Sequence, residues 1–470
     1  MSNCEPNRRP GDGSEPAGGE WSSPGILHRL LPSLTARNIV RVFLGDGLSK
    51  VFLVLFTLLV IRGLSETNYA AFVVFQSMRI LFGSLVGTGI NSAMVRYGTE
   101  YFSRTGRRPL RMYKAVLRLQ VLAYSVLLVG GLVLARPIAR SFYGREDYGA
   151  VVILGLLGGA GYLLISVTRS IYQAEERFNQ FVAAQWVQAL TGLLYVCVLV
   201  ASHRMTFTLV AVGLIVVDLV IGLALLTGSV LRHRTSPDEP RSDGRVGWVL
   251  KAARWLMAYC IALALLSQMD VIMLSRLGTE AELARYGVAL KYYVLALLSL
   301  GAINAVLLPK FSRVDMQSAA RQRAFVRRWV RSSVLVAVPL ALFDLLGRPL
   351  FVWLNGGKYG EAFGIWVLLS VGIWISLVAS PMTNILVGRR MFRTLFILGL
   401  GGLATSIVGN VLLVPWLRAN GTAIATVAAN AVINVTCLCL VWRSKLAAAV
   451  DAPSPTLGDS PASGKISEMP

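Results

Sequence analysis

The chain has 470 residues, 55% of them hydrophobic and 15% charged, with a formal net charge of +22. A mean hydropathy of +0.62 is more apolar surface than a soluble domain of this length can hide, which excludes that class and leaves the membrane. The basic balance does not indicate nucleic acid, because the Lys and Arg lie between hydrophobic stretches and no nucleic-acid-binding module accompanies them.

Residues 1–35 are rich in Gly, Pro, Glu and Arg, lack an apolar core and read as a disordered tail with no cleavable signal. Helical spans are then expected near 38–61, 68–97, 115–136, 149–174, 180–202 and 207–230. A linker follows at 232–247, then spans near 248–275, 283–309, 329–350, 361–387, 394–416 and 420–442, and a second disordered tail at 446–470. Stretches of about 20 apolar residues cross hydrocarbon as helices because each backbone group is then bonded within its own segment. Continuous runs such as Val51 to Ile61 and Leu209 to Leu226 lack the alternation of a β-barrel. The expected fold is all-α, with about twelve transmembrane helices in two six-helix lobes, 36–231 and 248–445. Loops on the side of the N-terminus hold 22 Lys and Arg, and those on the other side fewer than half as many, which puts both termini in the cytoplasm. The same charges suit anionic inner-leaflet lipid. The segment from Lys310 to Arg331, with Phe311, Phe325 and Trp329 among its arginines, reads as an amphipathic interfacial piece.

The five cysteines form no CxxC or His/Cys cluster, and those in spans read as apolar packing. Without a nucleophile triad, a phosphate-binding Gly loop or a metal motif, neither enzyme activity nor a bound cofactor is expected.

The chain also repeats itself. Arg62-Gly63-Leu64-Ser65-Glu66 resembles Arg276-Leu277-Gly278-Thr279-Glu280 at an offset of 214. Arg177-Phe178 answers Arg390-Met391-Phe392, and Arg204 answers Arg418, at offsets of 213 to 214. A duplicated six-helix unit in parallel orientation is how transporters build two lobes around a central cavity.

Several segments carry a resemblance. Leu59-Val60-Ile61-Arg62-Gly63-Leu64-Ser65-Glu66 leads to Tyr69, followed by Gly87-Thr88-Gly89-Ile90-Asn91 and Val95-Arg96-Tyr97. Ile171-Tyr172-Gln173-Ala174 precedes Arg177-Phe178. In the second half, Gln268-Met269-Asp270-Val271-Ile272-Met273-Leu274 precedes Leu277-Gly278 and Tyr286-Gly287, and Asn410-Val411-Leu412-Leu413-Val414-Pro415 precedes Gly421-Thr422-Ala423-Ile424-Ala425-Thr426. Together these resemble the polysaccharide exporter and O-antigen flippase (Wzx-type) branch of the multidrug/oligosaccharidyl-lipid/polysaccharide (MOP) flippase superfamily, over nearly the whole membrane region. Asn68-Tyr69-Ala70 departs from the usual first outer turn, and the N-terminal tail is longer than usual. The resemblance implies a multi-pass protein of the bacterial cytoplasmic membrane that moves a lipid-linked oligosaccharide on a polyprenyl pyrophosphate. Its partners would be membrane lipids, a glycan polymerase and glycosyltransferases.

An anionic pyrophosphate headgroup needs cations at membrane depth, and an ionisable group buried in a span is a functional candidate. Residues equally far from a hairpin turn lie at equal depth. A first turn near 64–65 therefore puts Lys50 and Arg79 level, each about 22 Å of helix from it. Asp46, one turn from Lys50, is placed to neutralise part of it. Arg41 and Arg96 lie near the inner ends, at a cytoplasmic mouth or snorkelling to the interface. A second turn near 280–281 levels Asp270 with Lys291, read either as a structural salt bridge or as a coupling carboxylate that takes H+ or Na+ and releases Lys291 to the substrate. Asp218 is a second mid-span acid with no partner evident in sequence and the weaker of the two ion-coupling candidates. Gln173, Asn304, Asn384, Asn410, Asn430 and Asn434 line a wet cavity or bond neighbouring helices. Pro309, Pro339, Pro381 and Pro415 are candidate hinges. The alternatives are a cation-coupled multidrug exporter or lipid II flippase of the same superfamily and, more remotely, a membrane polysaccharide polymerase or ligase, which would be expected to carry a long outer loop.

Overall fold

A computed structural model describes residues 34–144, 146–231, 253–313, 319–389 and 391–443. The expected tails and the 232–247 linker lie almost wholly outside the described residues, as do the side chains of Arg41, Asp46, Asn304, Pro309, Pro381 and Asn384. Among the described residues there is no strand. The helices are α1 (Leu34–Gly63), α2 (Glu66–Thr105), α3 (Leu110–Val133), the short α4 (Ala135–Tyr143), α5 (Gly149–Ala174), α6 (Phe178–Ala201), α7 (Phe207–Leu226), α8 (Arg254–Leu277), α9 (Glu280–Arg313), α10 (Ala319–Leu346), the short α11 (Arg348–Leu354), α12 (Ala362–Gly388) and α13 (Phe392–Arg443). The 52 residues of α13 are two helices joined at a break where Arg418 has φ 54° and ψ −131°. Eight stretches among the described residues are long and apolar enough to cross a membrane, or nine if the 78° bend between α10 and α11 lies within one span.

Local signals set the hairpins. Ser65 caps α2 by accepting from the Asn68 backbone N–H at 3.3 Å, and Glu66 sits in the first turn, where the helix dipole favours an acid. Thr279 and Glu282 form a reciprocal capping box at α9: the Glu282 carboxylate accepts from Thr279 N–H at 3.0 Å, and the Thr279 hydroxyl from Glu282 N–H at 3.3 Å. The repeat survives in the fold, since α1 ends at Gly63 and α8 at Leu277, α2 begins at Glu66 and α9 at Glu280, and α6 begins at Phe178 and α13 at Phe392.

Packing separates central helices from peripheral ones. Phe72, Val73, Val74 and Phe75 of α2 are all nearly inaccessible on successive faces, because α2 packs on α5, α8 and α9 at once. At Gly287 of α9 any Cβ would lie 2.3 Å from Val73, so glycine is what lets the two halves touch there. On α3 and α6, Val121, Leu122, Val126, Val129, Leu194 and Val198 are exposed, an apolar surface suited to acyl chains. At the helix ends of the first half opposite the Leu64-Ser65 turn, Glu175 is buried and accepts from Arg108 at 2.7 Å and Arg177 at 3.3 Å, while Arg108 also donates to the Ser229 carbonyl at 2.8 Å.

Two expectations change. The 310–331 segment is not one interfacial piece: Lys310–Arg313 ends α9, residues 314–318 lie outside the described residues, and α10 starts at Ala319. Trp329 turns inward and donates its indole N–H to the carbonyls of Leu377 and Val378, at 3.2 and 3.1 Å. The second hairpin turns at Gly278-Thr279, two residues before the expected 280–281.

Candidate functional site

A cavity of about 270 Å³ opens within the first half and is lined by Ser49, Lys50, Gln76, Arg79, Arg169, Gln185, Gln188 and Asp218, with Leu53, Phe56 and Leu214 as apolar wall. The expected level pair, Lys50 and Arg79, lines one cavity. Asp218 has a partner after all: it forms a buried ion pair with Arg79 and accepts from the Gln188 amide at 3.0 Å. Arg79 also donates to Gln76 at 2.7 Å, and its buried Nε has no hydrogen-bond partner among the described residues.

The glycines of α5 make this pairing possible. A Cβ on Gly158 would lie 3.1 Å from the Arg79 side chain, and one on Gly161 would lie 2.6 Å from Asp218 Cβ and 3.0 Å from the α7 backbone. Small residues on one face let α2 and α7 approach α5 closely enough for their charges to meet. Gly161→Ala is expected to push α7 outward and lower the thermal unfolding midpoint of the solubilised protein, whereas Gly130→Ala, with open space around its Cβ, leaves it unchanged.

The cavity holds two groups the sequence reading passed over. Arg169 of α5 lies with its guanidinium carbon 4.9 Å from the Phe181 ring centroid. Gln185 and Gln188 of α6 both line it, and an i, i+3 pair of amides in an otherwise apolar span was the signal available.

The second half holds a different arrangement. Asp270 does not pair with Lys291: it accepts from the Tyr286 hydroxyl and from the Val271 backbone N–H at 2.8 Å, and Tyr286 lies 3.2 Å from the Thr426 hydroxyl. A turn two residues earlier levels Asp270 with residues 286–287 and carries Lys291 a full helical turn deeper. Asp270 is 4% exposed and has no cation within ion-pair distance among the described residues. Lys291 is half-buried, has no acidic partner there either, and lies within electrostatic reach of Arg79. Arg96 stands outside the cavity, its guanidinium carbon 5.7 Å from the Tyr97 ring centroid. Asn410, Asn430 and Asn434 serve as helix-to-helix or intrahelical bonds, to Ser406, Tyr293 and Ser376 respectively.

At the hairpin tips the two halves are latched together. Arg62, in the last turn of α1, donates to the carbonyls of Trp353 and Leu354 at 2.7 and 2.8 Å, and Lys358 donates back to the Arg62 carbonyl at 3.0 Å. Arg285 bridges Glu66 at 3.8 Å and pairs with Glu361.

The sequence matches the profile of a family described as polysaccharide biosynthesis protein over residues 35–315. No curated protein matches it. Among solved structures the fold is similar to lipid II flippase MurJ in an inward closed conformation, with a TM-score of 0.66 and 15% identity over 86% of this chain and 88% of that one. It is similar to the inward-facing conformation of a multidrug resistance MATE family transporter of the MOP superfamily (TM-score 0.65, 13% identity, 83% and 93% covered). A MOP superfamily transporter from Pyrococcus furiosus, reported for the reverse polarity of its binding pocket, gives a TM-score of 0.62 at 13% identity, with 92% of this chain and 100% of that one covered. The chain belongs to the polysaccharide biosynthesis protein family, as a multi-pass membrane protein with the fold of MOP-superfamily transporters.

Proposed function

We propose that this chain is a flippase for a lipid-linked oligosaccharide carried on a polyprenyl pyrophosphate. It would work by alternating access in the bacterial cytoplasmic membrane, with both termini in the cytoplasm. The observation that carries the reading is the set of cations brought to one cavity: Lys50, Arg79 and Arg169 line it, with Asp218 the one lining carboxylate among the described residues. Cations gathered at membrane depth are favourable around an anion, so the cavity suits a diphosphate and opposes a cationic drug. Lys291, on the facing half, extends the same field. O-antigen or a related surface polysaccharide is the glycan class this reading favours, with glycosyltransferases upstream and a polymerase downstream. A lipid II flippase remains the second reading, because a diphosphate headgroup would satisfy the same cations.

The test is flipping of a fluorescent polyprenyl-diphosphate oligosaccharide by the full chain in proteoliposomes. The double variant Lys50→Gln/Lys291→Gln is expected to lose at least tenfold in rate with its membrane level unchanged. Wild-type flipping by that variant sinks the anion reading.

Asp270 is the coupling candidate, since a buried carboxylate with no cation beside it among the described residues can take up H+ or Na+ at modest penalty. Asp270→Asn keeps a hydrogen bond to Tyr286 and is expected to flip substrate at a rate independent of an imposed H+ or Na+ gradient. A gradient response equal to wild type removes Asp270 from coupling.

A further inference from the structure

A second cavity of about 270 Å³ adjoins the first and shares Arg169 and Gln188 with it. Its wall is one face of α5, where Tyr162, Ser166, Ser170 and Gln173 follow at helical spacing, closed opposite by Phe181 of α6. The chamber lies toward the α5–α6 turn, beyond the Lys50 and Arg79 chamber. Its lining contains no carboxylate among the described residues.

We propose that this chamber holds the sugar joined directly to the diphosphate, so that one cleft reads the substrate in two parts with Arg169 at the junction. The inference rests on the anionic-headgroup reading of the neighbouring chamber and assigns the part that reading leaves open. Carboxamides and hydroxyls combine donors and acceptors in the way that ring hydroxyls require. The Tyr162 and Phe181 rings each carry a guanidinium on one face, Arg79 at 5.8 Å and Arg169 at 4.9 Å from the centroid, which leaves the opposite face or edge of each ring to the C–H face of a pyranose. Gln173 is exposed and has no protein partner among the described residues, and the adjacent Gln185 has a buried carbonyl oxygen with none. These amides are available to a ligand. Ser166 and Ser170 are tied locally, Ser166 accepting from Asn91 at 2.7 Å and Ser170 donating to the Ser166 carbonyl at 2.9 Å, which fixes their rotamers and leaves acceptor lone pairs over. A volume of about 270 Å³ accommodates a single pyranose ring.

The experiment measures binding of two probes to the full chain in lipid nanodiscs: a polyprenyl diphosphate without sugar, and the same lipid bearing a single N-acetylhexosamine. Wild type is expected to bind the sugar-bearing probe about tenfold more tightly. Ser170→Ala/Gln173→Ala is expected to erase that difference and leave the bare diphosphate unchanged, with an unaltered thermal unfolding midpoint. Equal affinity of wild type for both probes, or a difference that survives in the double variant, overturns the sugar subsite while the headgroup site stands. If wild type binds neither probe, the headgroup reading fails and the subsite falls with it. A lower unfolding midpoint in the double variant moves the same comparison to Gln173→Ala alone, which touches only an exposed side chain.

Discussion

Arg79→Leu is expected to be the most damaging single change in the first half, lowering the stability of the folded protein by about 3–5 kcal/mol. The reason lies in what it leaves behind. Asp218 is 2% exposed, and with Arg79 gone the Gln188 amide is its one remaining side-chain hydrogen-bond donor among the described residues. Removing one member of a buried pair strands the other, whereas removing both returns most of the stability, because desolvation of the pair had consumed most of its Coulombic gain. Arg79→Leu/Asp218→Leu is therefore expected to recover most of the unfolding midpoint in detergent yet remain slow in the flipping assay, since the cavity keeps its net charge but has lost the guanidinium donors that would bind the diphosphate. That divergence separates architecture from substrate binding. A double variant that flips at the wild-type rate makes Arg79 a purely structural residue.

The same pair shows where sequence reasoning reaches and where it stops. The hairpin argument set Lys50 level with Arg79 because Leu64-Ser65 is a tight turn with a readable cap, so distances counted from it are reliable on both sides. The identical argument gave Asp270 the wrong partner, because its turn was placed two residues late and a counting error doubles across a hairpin. Asp218 lies 139 residues from Arg79, beyond any local rule. The cluster Gly155, Gly158, Gly159 and Gly161 did signal that something approaches α5 closely, but a glycine does not name its neighbour. Arg169 was visible as a cation in a span, and only the folded hairpin of α5 and α6 brings it to the junction of two cavities. The repeat was more legible than any site, because helix ends are set by caps and turns written in a few adjacent residues.

Arg62→Ala is expected to release the hairpin-tip face of the protein. In the structure that face is closed by reciprocal capping: a cation from each half satisfies carbonyls at the end of a helix in the other. The last carbonyls of a helix lack intrahelical donors and carry its negative end, so a guanidinium there gains both hydrogen bonds and dipole attraction. The Arg62 guanidinium carbon also lies 5.6 Å from the Trp353 ring centroid, which orients its fork toward the end of α11. The contacts are solvent-facing, so their net worth is about 2 kcal/mol, at the low end for charged hydrogen bonds. Applied to an equilibrium between closed and open faces, that shifts the ratio roughly thirtyfold. Val73 is the place to read it, because it is packed against Gly287 where the two halves meet just below the latch. In a background without native cysteines, Val73→Cys is expected to react slowly with a membrane-impermeant maleimide supplied from the Arg62 side, and at least tenfold faster once Arg62→Ala is added. The neighbouring pair tests specificity: Arg285 meets only the side chains of Glu361 and Glu66 in these contacts and caps no backbone carbonyl, so Arg285→Ala is expected to raise labelling by less than Arg62→Ala does. If labelling is the same with and without Arg62, the carbonyl caps do not hold the two halves shut, and closure must reside in the apolar contact of α2 with α8 and α9.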